Sequence, residues 1–474
     1  MTRVSVAAID LGATSGRVVL GRIGPGELTI EDVARFPNGA AIASDGALRW
    51  DVSRLYRDAL AGLRSAFARD DGIRSVGIDS WAVDYGLIRG GTLLEEPYCY
   101  RDPRTARGVE LVSERIGPAD LYARNGLQFL PFNTIYQLAV DRADGRLDGV
   151  ERALLIPDLL AYWLTGRQVA EGTNASTTGL LDPRSTTPRW DEELMATVGL
   201  PAELLAPLVA PGERIGRLTS EAALTVGAWP DVIAVGSHDT ASAVVGIPAT
   251  QSDFAYISSG TWSLVGVELP EPVFGEPGRL AGFTNEGGVD GRIRYLHNVM
   301  GLWLLSESLR AWEAEGEPED LPALLAAAAE VPGPVGVFDA DDVSLLPPGE
   351  MPARIEALLR AADQPVPANR PELVRSILES LAAAYARTIE KLRELTGRRI
   401  SVVHVVGGGS LNELLCQLTA DRTGLPVLAG PVEATAMGNL LVQARQSGVV
   451  GPTLEDLRAL VAEAHPPKRY DPRD

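Results

Sequence analysis

The feature that most constrains this 474-residue chain is a pattern that occurs twice: an apolar strand, a small polar turn containing glycine, and a second apolar strand. The first copy covers residues 4–20 and turns at 10–16, and the second covers residues 255–267 and turns at 258–261. Because such internal repetition indicates a duplicated architecture, we predict that each copy opens one of two related domains. A Pro-containing connector after the first half places the domains at 1–245 and 246–474.

Length, charge and cysteine content narrow the class of protein. A chain of this length exceeds what a single core supports, which agrees with two domains. The net charge of −20 argues against nucleic acid or an anionic membrane as a partner, because both would repel it. Cys99 and Cys416 lie too far apart in sequence to form a disulfide framework, and neither a signal peptide nor a long apolar span is evident. We therefore expect a cytoplasmic monomer or homodimer that binds small molecules.

The chain has almost no lysine that could bind an anion. Lys391 and Lys468 are the only lysines among 43 basic residues, so 43 − 2 leaves 41 arginines. Neither lysine is near a glycine-rich loop, which excludes a P-loop of the Walker type. A dinucleotide fingerprint also fails, because Asn412 occupies the last glycine position of the only comparable run. Any anion would therefore be bound without lysine.

The first glycine turn is a candidate site for phosphate and metal. Glycine allows a close approach of the backbone, so successive N–H groups can face a phosphate. Asp10 stands at the end of the first strand, where its carboxylate could hold a hydrated Mg²⁺. A plain β-hairpin with no ligand is the alternative, since glycine-bearing turns are common in hairpins.

A stretch in the middle of the chain carries the strongest catalytic candidate. Residues 232–235 are apolar and predict a buried strand, and residues 240–245 have the pattern of a helix. Asp239, beside His238, would then lie at the carboxyl end of a strand, where open α/β sheets bind ligands. The carboxylate is therefore a candidate acid or base, with a helix N-cap as the alternative.

Short polar segments also follow other predicted strands. Asp79, Trp81 and Asp84 could line a pocket, or could equally be cap, core and surface residues. Gln128 and Asn133 lie among aromatic rings, a combination that suits a sugar site. In most proteins, such amides would simply be exposed loop residues.

The second half adds a glycine run and an apolar segment. Residues 407–409 are glycines between a predicted strand at 401–406 and a helical pattern at 411–420, and could support a flat ring or a phosphate. Asn298 heads an apolar run and is expected to cap a helix over 298–305.

Taken in chain order from Asp10 to Asn439, these motifs resemble the FGGY family of carbohydrate kinases. The matching segments are DLGATSGR at 10–17, QFLPFNT at 128–134, SHDTAS at 237–242, SSGTWS at 258–263, NVMGLWLL at 298–305 and GPVEA at 430–434. The resemblance implies an α/β fold with two actin-like (ribonuclease H-like) domains and an active site in the cleft between them. It also implies ATP-dependent phosphorylation of a ketose, with L-rhamnulose phosphorylated at O1. L-Fuculose or a pentulose are alternative substrates, and a non-catalytic actin-like ATP clamp is the alternative from another class.

The resemblance also implies a role for individual residues. Asp239 corresponds to the general base, and Asp10 to the residue that positions Mg²⁺ through water. The residues implied in sugar binding are Ala82, Gln128, Asn133, His238, Thr240 and Asn298. Those implied in ATP binding are Ala13, Thr14, Ser15, Gly16, Arg17, Gly260, Thr261, Ser306, Gly407, Gly408 and Gly409. Ala82 stands where the family pattern has glycine, and Ser306 where it has glutamine.

Overall fold

The computed structural model of the chain describes residues 3–185 and 187–473 and contains both sheets and helices. The strands are β1 (Val4–Leu11), β2 (Ser15–Gly24), β3 (Glu27–Pro37), β4 (Ala41–Ile42), β5 (Leu48–Arg49), β6 (Ile73–Ser80), β7 (Tyr85–Arg89), β8 (Thr92–Leu93), β9 (Arg152–Leu155), β10 (Ala170–Glu171), β11 (Leu208–Val209), β12 (Arg214–Arg217), β13 (Asp231–Ile233), β14 (Phe254–Ser259), β15 (Ser263–Leu269), β16 (Thr284–Gly287), β17 (Ile293–Val299), β18 (Val402–Val406), β19 (Val427–Ala429) and β20 (Lys468–Tyr470).

The α-helices are α1 (Val52–Arg69), α2 (Thr105–Ser113), α3 (Pro118–Asn125), α4 (Thr134–Ala143), α5 (Ile156–Thr165), α6 (Gly172–Ala175), α7 (Glu192–Val198), α8 (Ser220–Val226), α9 (Asp239–Val245), α10 (Glu276–Leu280), α11 (Trp303–Ala314), α12 (Leu321–Ala329), α13 (Met351–Ala361), α14 (Arg370–Thr396), α15 (Glu413–Thr423), α16 (Ala434–Gln446) and α17 (Leu454–Ala464). Short 3-10 helices cover Ser176–Thr178, Ala202–Leu204, Val289–Gly291, Val343–Leu345 and Gly408–Leu411.

The chain divides into two compact units that are interleaved in sequence. The first unit consists of Met1–Thr250, Glu268–Tyr295 and Ala434–Ala464. The second consists of Gln251–Val267, Leu296–Glu433 and His465–Asp474. Two later segments of the chain therefore belong to the first unit, an arrangement that a single boundary after residue 245 does not describe.

The sheet of the first unit is covered by helices on both faces. Its strand order is β12-β13-β6-β1-β2-β3, with β1 parallel to β6 and antiparallel to β2. Alternate residues of β1 enter different cores: Ala7 and Ile9 pack in the cluster that contains α1, whereas Val6 and Ala8 pack with α16 and α17. Both faces of the strand are therefore buried, which explains why its sequence is apolar without alternation.

The second sheet repeats this scheme. Its order β17-β15-β14-β18-β19 corresponds to β3-β2-β1-β6-β13 of the first sheet. The hairpin β14–β15 is antiparallel, and β14, β18 and β19 run parallel, as β1, β6 and β13 do. The duplication predicted from the two hairpins is confirmed.

Small residues allow helix α16 to approach its neighbours closely. A Cβ atom at Gly438 would lie 1.8 Å from the carbonyl oxygen of Ser242 in α9. A Cβ at Gly77 in β6 would lie 2.4 Å from the side-chain oxygen of Asn439. This close packing brings the polar side chains of α16 to the strand ends of the first sheet.

The prediction of a helix over 298–305 is wrong for its first residues. Asn298 lies in strand β17, and α11 begins at Trp303 after a turn at Gly301, whose φ is +61°. A continuous apolar run does not separate a strand from a helix by periodicity, so the sequence did not reveal the turn. The helix predicted from residue 411 likewise starts later, at Glu413, because Asn412 caps it and accepts a hydrogen bond from Leu415 N at 3.0 Å.

Candidate active site

Carboxylates of the first unit converge at the ends of parallel strands. Asp10 of β1 and Asp79 of β6 are direct register partners, and Asp239 begins α9 after β13. Asp79 is fully buried and accepts a hydrogen bond from Asn439 Nδ2 at 2.5 Å. Burial, together with the charges of Asp10 and Asp239, raises the pKa of Asp79 well above its usual value. The strand ends therefore form an acidic edge, as expected for an α/β ligand site.

Asp239 is accessible and does not cap its helix. The N-cap position of α9 belongs to His238. Among the described residues, the Asp239 carboxylate accepts hydrogen bonds from its neighbour Thr240 alone, at 2.6 Å from the backbone nitrogen and 3.3 Å from the hydroxyl. The side chain keeps 33% of its surface exposed. Burial, with a contribution from the charge of Asp10, raises the pKa of Asp239, and His238 opposes this shift. The geometry suits a general base.

His238 connects Asp239 to a buried ion pair. Its Nε2 lies 3.4 Å from Asp239 Oδ1, and its Nδ1 lies 2.9 Å from Arg294 Nη2. Glu286 Oε2 lies 3.4 Å from the same Nδ1 and 3.1 Å from Arg294 Nη2. The imidazole is thus fixed between charged groups on β16 and β17 and the carboxylate on α9.

Glu171 holds the loop that carries His238 and Asp239. Its buried carboxylate accepts hydrogen bonds from Ser237 N at 2.9 Å and Ser237 Oγ at 2.7 Å. The same group binds Thr173 N at 2.9 Å, Thr173 Oγ1 at 2.6 Å and Asn174 N at 3.3 Å. A carboxylate with so many donors can only sit in one orientation, so Glu171 fixes the position of the loop.

The turn after β6, at Val83 and Asp84, has a strained backbone and is fixed by hydrogen bonds. Val83 has φ +67°, which is costly for a β-branched residue and is typical of functional sites. Its carbonyl accepts a hydrogen bond from Thr134 Oγ1 at 2.7 Å. Asp84 is not a surface residue: it is fully buried and accepts hydrogen bonds from Trp50 Nε1 at 2.6 Å and Gln137 Nε2 at 3.0 Å. Burial raises the pKa of Asp84 to about 6, against the effect of these donors.

The sugar-binding candidates of the first unit differ in their burial. Ala82 is half-buried beside Val83, and Thr240 is buried. Asn133 precedes α4 and is buried rather than exposed, and its side-chain oxygen meets no hydrogen-bond partner among the described residues. Gln128 is half-buried. Asn298, the remaining candidate, belongs to the second unit.

The first glycine turn contains an ion pair that the sequence did not predict. The turn is closed by a hydrogen bond from Gly12 N to Ser15 O at 2.8 Å, and Ala13 and Thr14 remain accessible at its tip. Arg17 donates from Nε and Nη2 to Asp10 Oδ2, at 2.9 and 2.7 Å. The two residues assigned to phosphate and to metal therefore neutralise each other in this structure.

Gly16 has a packing role in the same hairpin. A Cβ atom there would lie 2.2 Å from the ring of Phe36. Packing against Phe36 is therefore sufficient to explain a glycine at this position.

The second glycine turn is supported by backbone groups. Gly260 is exposed, and its carbonyl accepts a hydrogen bond from Leu302 N at 3.0 Å, while the carbonyl of Thr261 accepts one from Trp303 N at 3.0 Å. Gly301 packs against the turn, because a Cβ there would lie 2.5 Å from the carbonyl carbon of Trp262. The start of α11 thus fixes the second turn.

The three consecutive glycines differ in what they contact. Cβ atoms at Gly407 and Gly409 would lie 2.9 Å and 2.0 Å from the carbonyl and hydroxyl oxygens of Ser259. Gly408 faces open space. Packing against β14 therefore accounts for Gly407 and Gly409, and only Gly408 leaves its surface free for a ligand. Ser306, the other ATP candidate here, is exposed in the first turns of α11.

Sequence reasoning missed several residues that the fold brings to the site. Glu171, Glu286, Arg294 and Asn439 are all buried and contact the strand-end cluster or its supporting loop. The only signal for Glu171 was the run of small polar residues that follows it, and Arg294 had none. Long-range contacts of this kind require the tertiary structure.

Two further findings concern the described part of the chain. No group of three or more His, Cys, Asp or Glu residues in it has an arrangement that could hold a metal ion. Nor does any helix in that part have the length and apolar character needed to cross a membrane.

Comparison with known proteins places these features in a family. Residues 5–246 match the family model described as "FGGY family of carbohydrate kinases, N-terminal domain", and residues 255–447 match the corresponding C-terminal domain. The chain therefore belongs to the FGGY family of carbohydrate kinases, and its predicted fold and enzyme class are confirmed.

Individual relatives and solved structures agree. The rhamnulokinase of Bacteroides thetaiotaomicron is 43% identical over 472 residues, 98% of this chain and 96% of that protein. The rhamnulokinase of Enterococcus faecalis is 42% identical, over 93% and 89% of the two chains. A ligand-bound xylulose kinase from Lactobacillus acidophilus shares the fold with a TM-score of 0.79 at 18% identity, covering 99% and 94%. For Plasmodium falciparum glycerol kinase with ADP, the TM-score is 0.75 at 17% identity, with the same coverage.

Proposed function

We propose that this carbohydrate kinase transfers the γ-phosphoryl group of ATP to O1 of L-rhamnulose, giving L-rhamnulose 1-phosphate and ADP. The observation that carries the proposal is the identity of 42–43% with proteins named rhamnulokinase, over nearly the whole of both chains. The arrangement of His238 beside an accessible Asp239 supports it, because a phosphoryl acceptor needs a base within reach of its hydroxyl.

Asp239 would act as the general base. The 1-hydroxyl proton passes to the carboxylate as O1 bonds to the γ-phosphorus and the bond from that phosphorus to the bridging oxygen of ADP breaks. Asp239 must be ionised for this step, and its raised pKa makes it a stronger base than an ordinary aspartate. Thr240 and Glu171 hold the carboxylate and its loop in place.

The nucleotide would be bound mainly by backbone groups. We assign the turn of residues 13–17 in the first unit and Gly260, Thr261 and Gly408 in the second to ATP, with Ser306 as a further contact. Phosphoryl transfer depends on positioning and charge compensation, so N–H groups suffice where lysine is absent. Because the assigned residues are divided between two units, we propose that turnover requires both.

Magnesium fits the acidic edge as a hydrated ion. Mg²⁺ keeps most of its waters and commonly binds one or two carboxylates together with substrate phosphates, so a complete protein cage is not needed. Asp10 offers one oxygen beside the Oδ2 that Arg17 occupies, and would hold the ion through water. When bound, Mg²⁺ would neutralise charge on the phosphates.

Apolar side chains near the sugar candidates favour a 6-deoxy sugar. Phe129 is 58% exposed, and Leu130 and Phe132 are half-buried, so the segment offers apolar surface for a methyl group. One such group contributes about 1–3 kcal/mol to discrimination, and related ketoses should therefore react more slowly rather than not at all. The buried, unpaired Cys99 and Cys416 support a reducing compartment, and we place the enzyme in the cytoplasm.

A coupled assay of ADP release over a panel of ketoses, polyols and aldoses tests the proposal. We expect the highest kcat/KM for L-rhamnulose, measurable activity on L-fuculose and L-xylulose, and very little on glycerol or aldoses. A tenfold preference for another sugar would replace the substrate but leave the kinase in place. ATP binding without turnover of any sugar would favour a non-catalytic clamp.

A further inference from the structure

Behind His238 lies a buried cation that neither the motifs nor the family resemblance singled out. The side chain of Arg294 on β17 has 0% exposure, and its Nη2 lies 2.9 Å from His238 Nδ1. Its Nε donates to the carbonyl of Gly287 at 2.9 Å. An arginine buried this completely is held in one orientation, so its contact with the imidazole is a fixed feature of the site.

The contact determines which imidazole nitrogen carries the proton. A guanidinium donates hydrogen bonds and cannot accept them, so Nδ1 of His238 has to be the acceptor. In a neutral imidazole, the hydrogen is then on Nε2. That nitrogen faces Asp239 Oδ1 at 3.4 Å.

The alternative tautomer has its hydrogen on Nδ1, which would then donate a hydrogen bond to the carboxylate of Glu286. Its Oε2 is 3.4 Å from Nδ1, farther than the guanidinium at 2.9 Å, and a proton on Nδ1 would face the hydrogens of Arg294. Although burial by itself raises the pKa of Glu286, the charge of Arg294 and the contact with His238 lower it below its usual value. Glu286 is therefore the counter-ion of Arg294, which a buried guanidinium requires.

The charged groups that face His238 thus set the direction of the hydrogen bonds on both sides of the imidazole. Arg294 at one end only donates, and the ionised Asp239 at the other end only accepts. The backbone nitrogen of His238 is held separately by Thr173 Oγ1, at 3.3 Å. A hydroxyl placed against Nε2 and Oδ1 would accept from the first and donate to the second.

We infer that Arg294 is a positioning residue that fixes His238 with its hydrogen on Nε2, so that the acceptor hydroxyl of the sugar is bound with its own proton directed at Asp239. This inference rests on the proposed function for the identity of the base and the hydroxyl. The state of His238 itself is a property of the protein without substrate.

Nitrogen NMR of the histidine rings tests the inference directly. The chain has four histidines, so selective ¹⁵N labelling gives few signals, and a His238→Asn variant assigns the one of interest. We expect Nδ1 of His238 to accept the hydrogen bond from Arg294 and the ring hydrogen to be on Nε2. The double variant Arg294→Met with Glu286→Gln removes both charges together, and we expect the preference for that tautomer to be lost.

Kinetics of the same variants give the second readout. Loss of an orienting partner commonly lowers activity about 10- to 100-fold, so we expect the double variant to lose kcat by this factor with the KM for ATP unchanged. Arg294→Lys keeps a cation that only donates and should recover part of the rate. The matched control is Arg458→Met with Glu268→Gln, which removes another buried ion pair of the first unit, 2.6 Å between its charged atoms. This control should fold and retain the His238 tautomer.

Wild-type His238 with its hydrogen on Nδ1, or a folded double variant with unchanged tautomer and kcat, would overturn the inference. If the tautomer is as expected but no ketose is phosphorylated, the proposed function fails while the assignment of Arg294 to His238 remains. Circular dichroism and thermal unfolding of each variant separate loss of folding from either result.

Discussion

The two glycine hairpins have the same topology and different chemistry. In the first unit, the turn between β1 and β2 carries an ion pair, with Arg17 donating twice to Asp10. In the second unit, the turn between β14 and β15 lacks charge and is fixed by backbone hydrogen bonds from the start of α11. The two copies thus share their strand order, but of the two turns only the first carries ionisable side chains. Under the proposed function, the first unit would supply the acid–base and metal chemistry, and the second a surface for the nucleotide.

Replacing the base should have the largest effect and tests whether the chemistry resides in the first unit. Asp239→Asn keeps the size of the side chain but removes the proton acceptor, so we expect kcat to fall about 10²- to 10⁴-fold. Binding of the sugar, measured by calorimetry, should persist. Turnover within a few-fold of wild type would show that Asp239 is not the base.

Glu171→Gln tests whether the loop of the first unit is held by charge. An amide would turn N–H groups toward the donors of Ser237 and Thr173, and the loop carrying Asp239 should shift. We expect kcat to fall about 10- to 100-fold, since small misplacements of catalytic groups have effects of this size. Steady-state kinetics at saturating ATP measures it.

Asp158→Asn is the matched control for this change. Burial and the charge of Glu171 raise the pKa of Asp158 well above its usual value. Its Oδ2 has no hydrogen-bond partner among the described residues, so an amide should be tolerated at this position. Equal losses of kcat in the two variants would indicate a general packing defect rather than a role for the Glu171 charge.

The second hairpin is tested at its open glycine. A Cβ at Gly260 would meet no atom closer than the carbonyl oxygen of Trp262 at 3.8 Å, so Gly260→Val should fold normally. The side chain would crowd the turn where we place phosphate, and the KM for ATP should rise about tenfold, the equivalent of one lost hydrogen bond of about 1.4 kcal/mol. Thermal unfolding and ATP titration measure the two effects.

Gly301→Ala provides the contrast, because it should destabilise the fold. The residue has φ +61°, and its Cβ would lie 2.5 Å from the backbone of Trp262. We expect a lower unfolding temperature from this variant. If Gly260→Val leaves the KM for ATP unchanged, the second turn does not contact phosphate.

The ion pair of the first hairpin should have a smaller effect on ATP. Arg17→Gln leaves the Asp10 carboxylate without its guanidinium, so its charge would repel the phosphates more strongly. We expect the KM for ATP to rise a few-fold and to depend more steeply on Mg²⁺, as measured by rates over a magnesium series. Arg22→Gln, which removes ion pairs to Glu31 and Asp70 from the same strand, is the control. Equal behaviour of the two variants would argue against a special role for Arg17.

The smallest expected effect is a difference between the units in pH dependence. Burial raises the pKa of Asp239, so activity should be complete above that pKa and be lost as the pH falls through it, at a higher pH than an ordinary aspartate would give. ATP binding through backbone groups of the second unit should change little over the same range. A pH profile of kcat/KM for the sugar, compared with nucleotide binding, decides this, and an acidic limb near pH 4 would contradict it.

Local patterns determined much of the fold. The hairpins at both domain starts and the buried strand at 401–406 were predicted because apolar patterning is a local signal. The helix prediction that began at Asn298 was wrong because an apolar run without a clear period does not reveal the turn at Gly301.

Sequence also determined which residue types could do chemistry. The near absence of lysine excluded a P-loop, and the strand-end position of Asp239 marked a candidate base. Only the tertiary structure decided what each of these groups contacts. The partners of His238 and of its loop come from positions as distant as Glu171 and Arg294, which no periodicity connects. Their roles depend on hydrogen bonds and charges acting over a few ångströms, and only the folded chain brings such distant residues that close together.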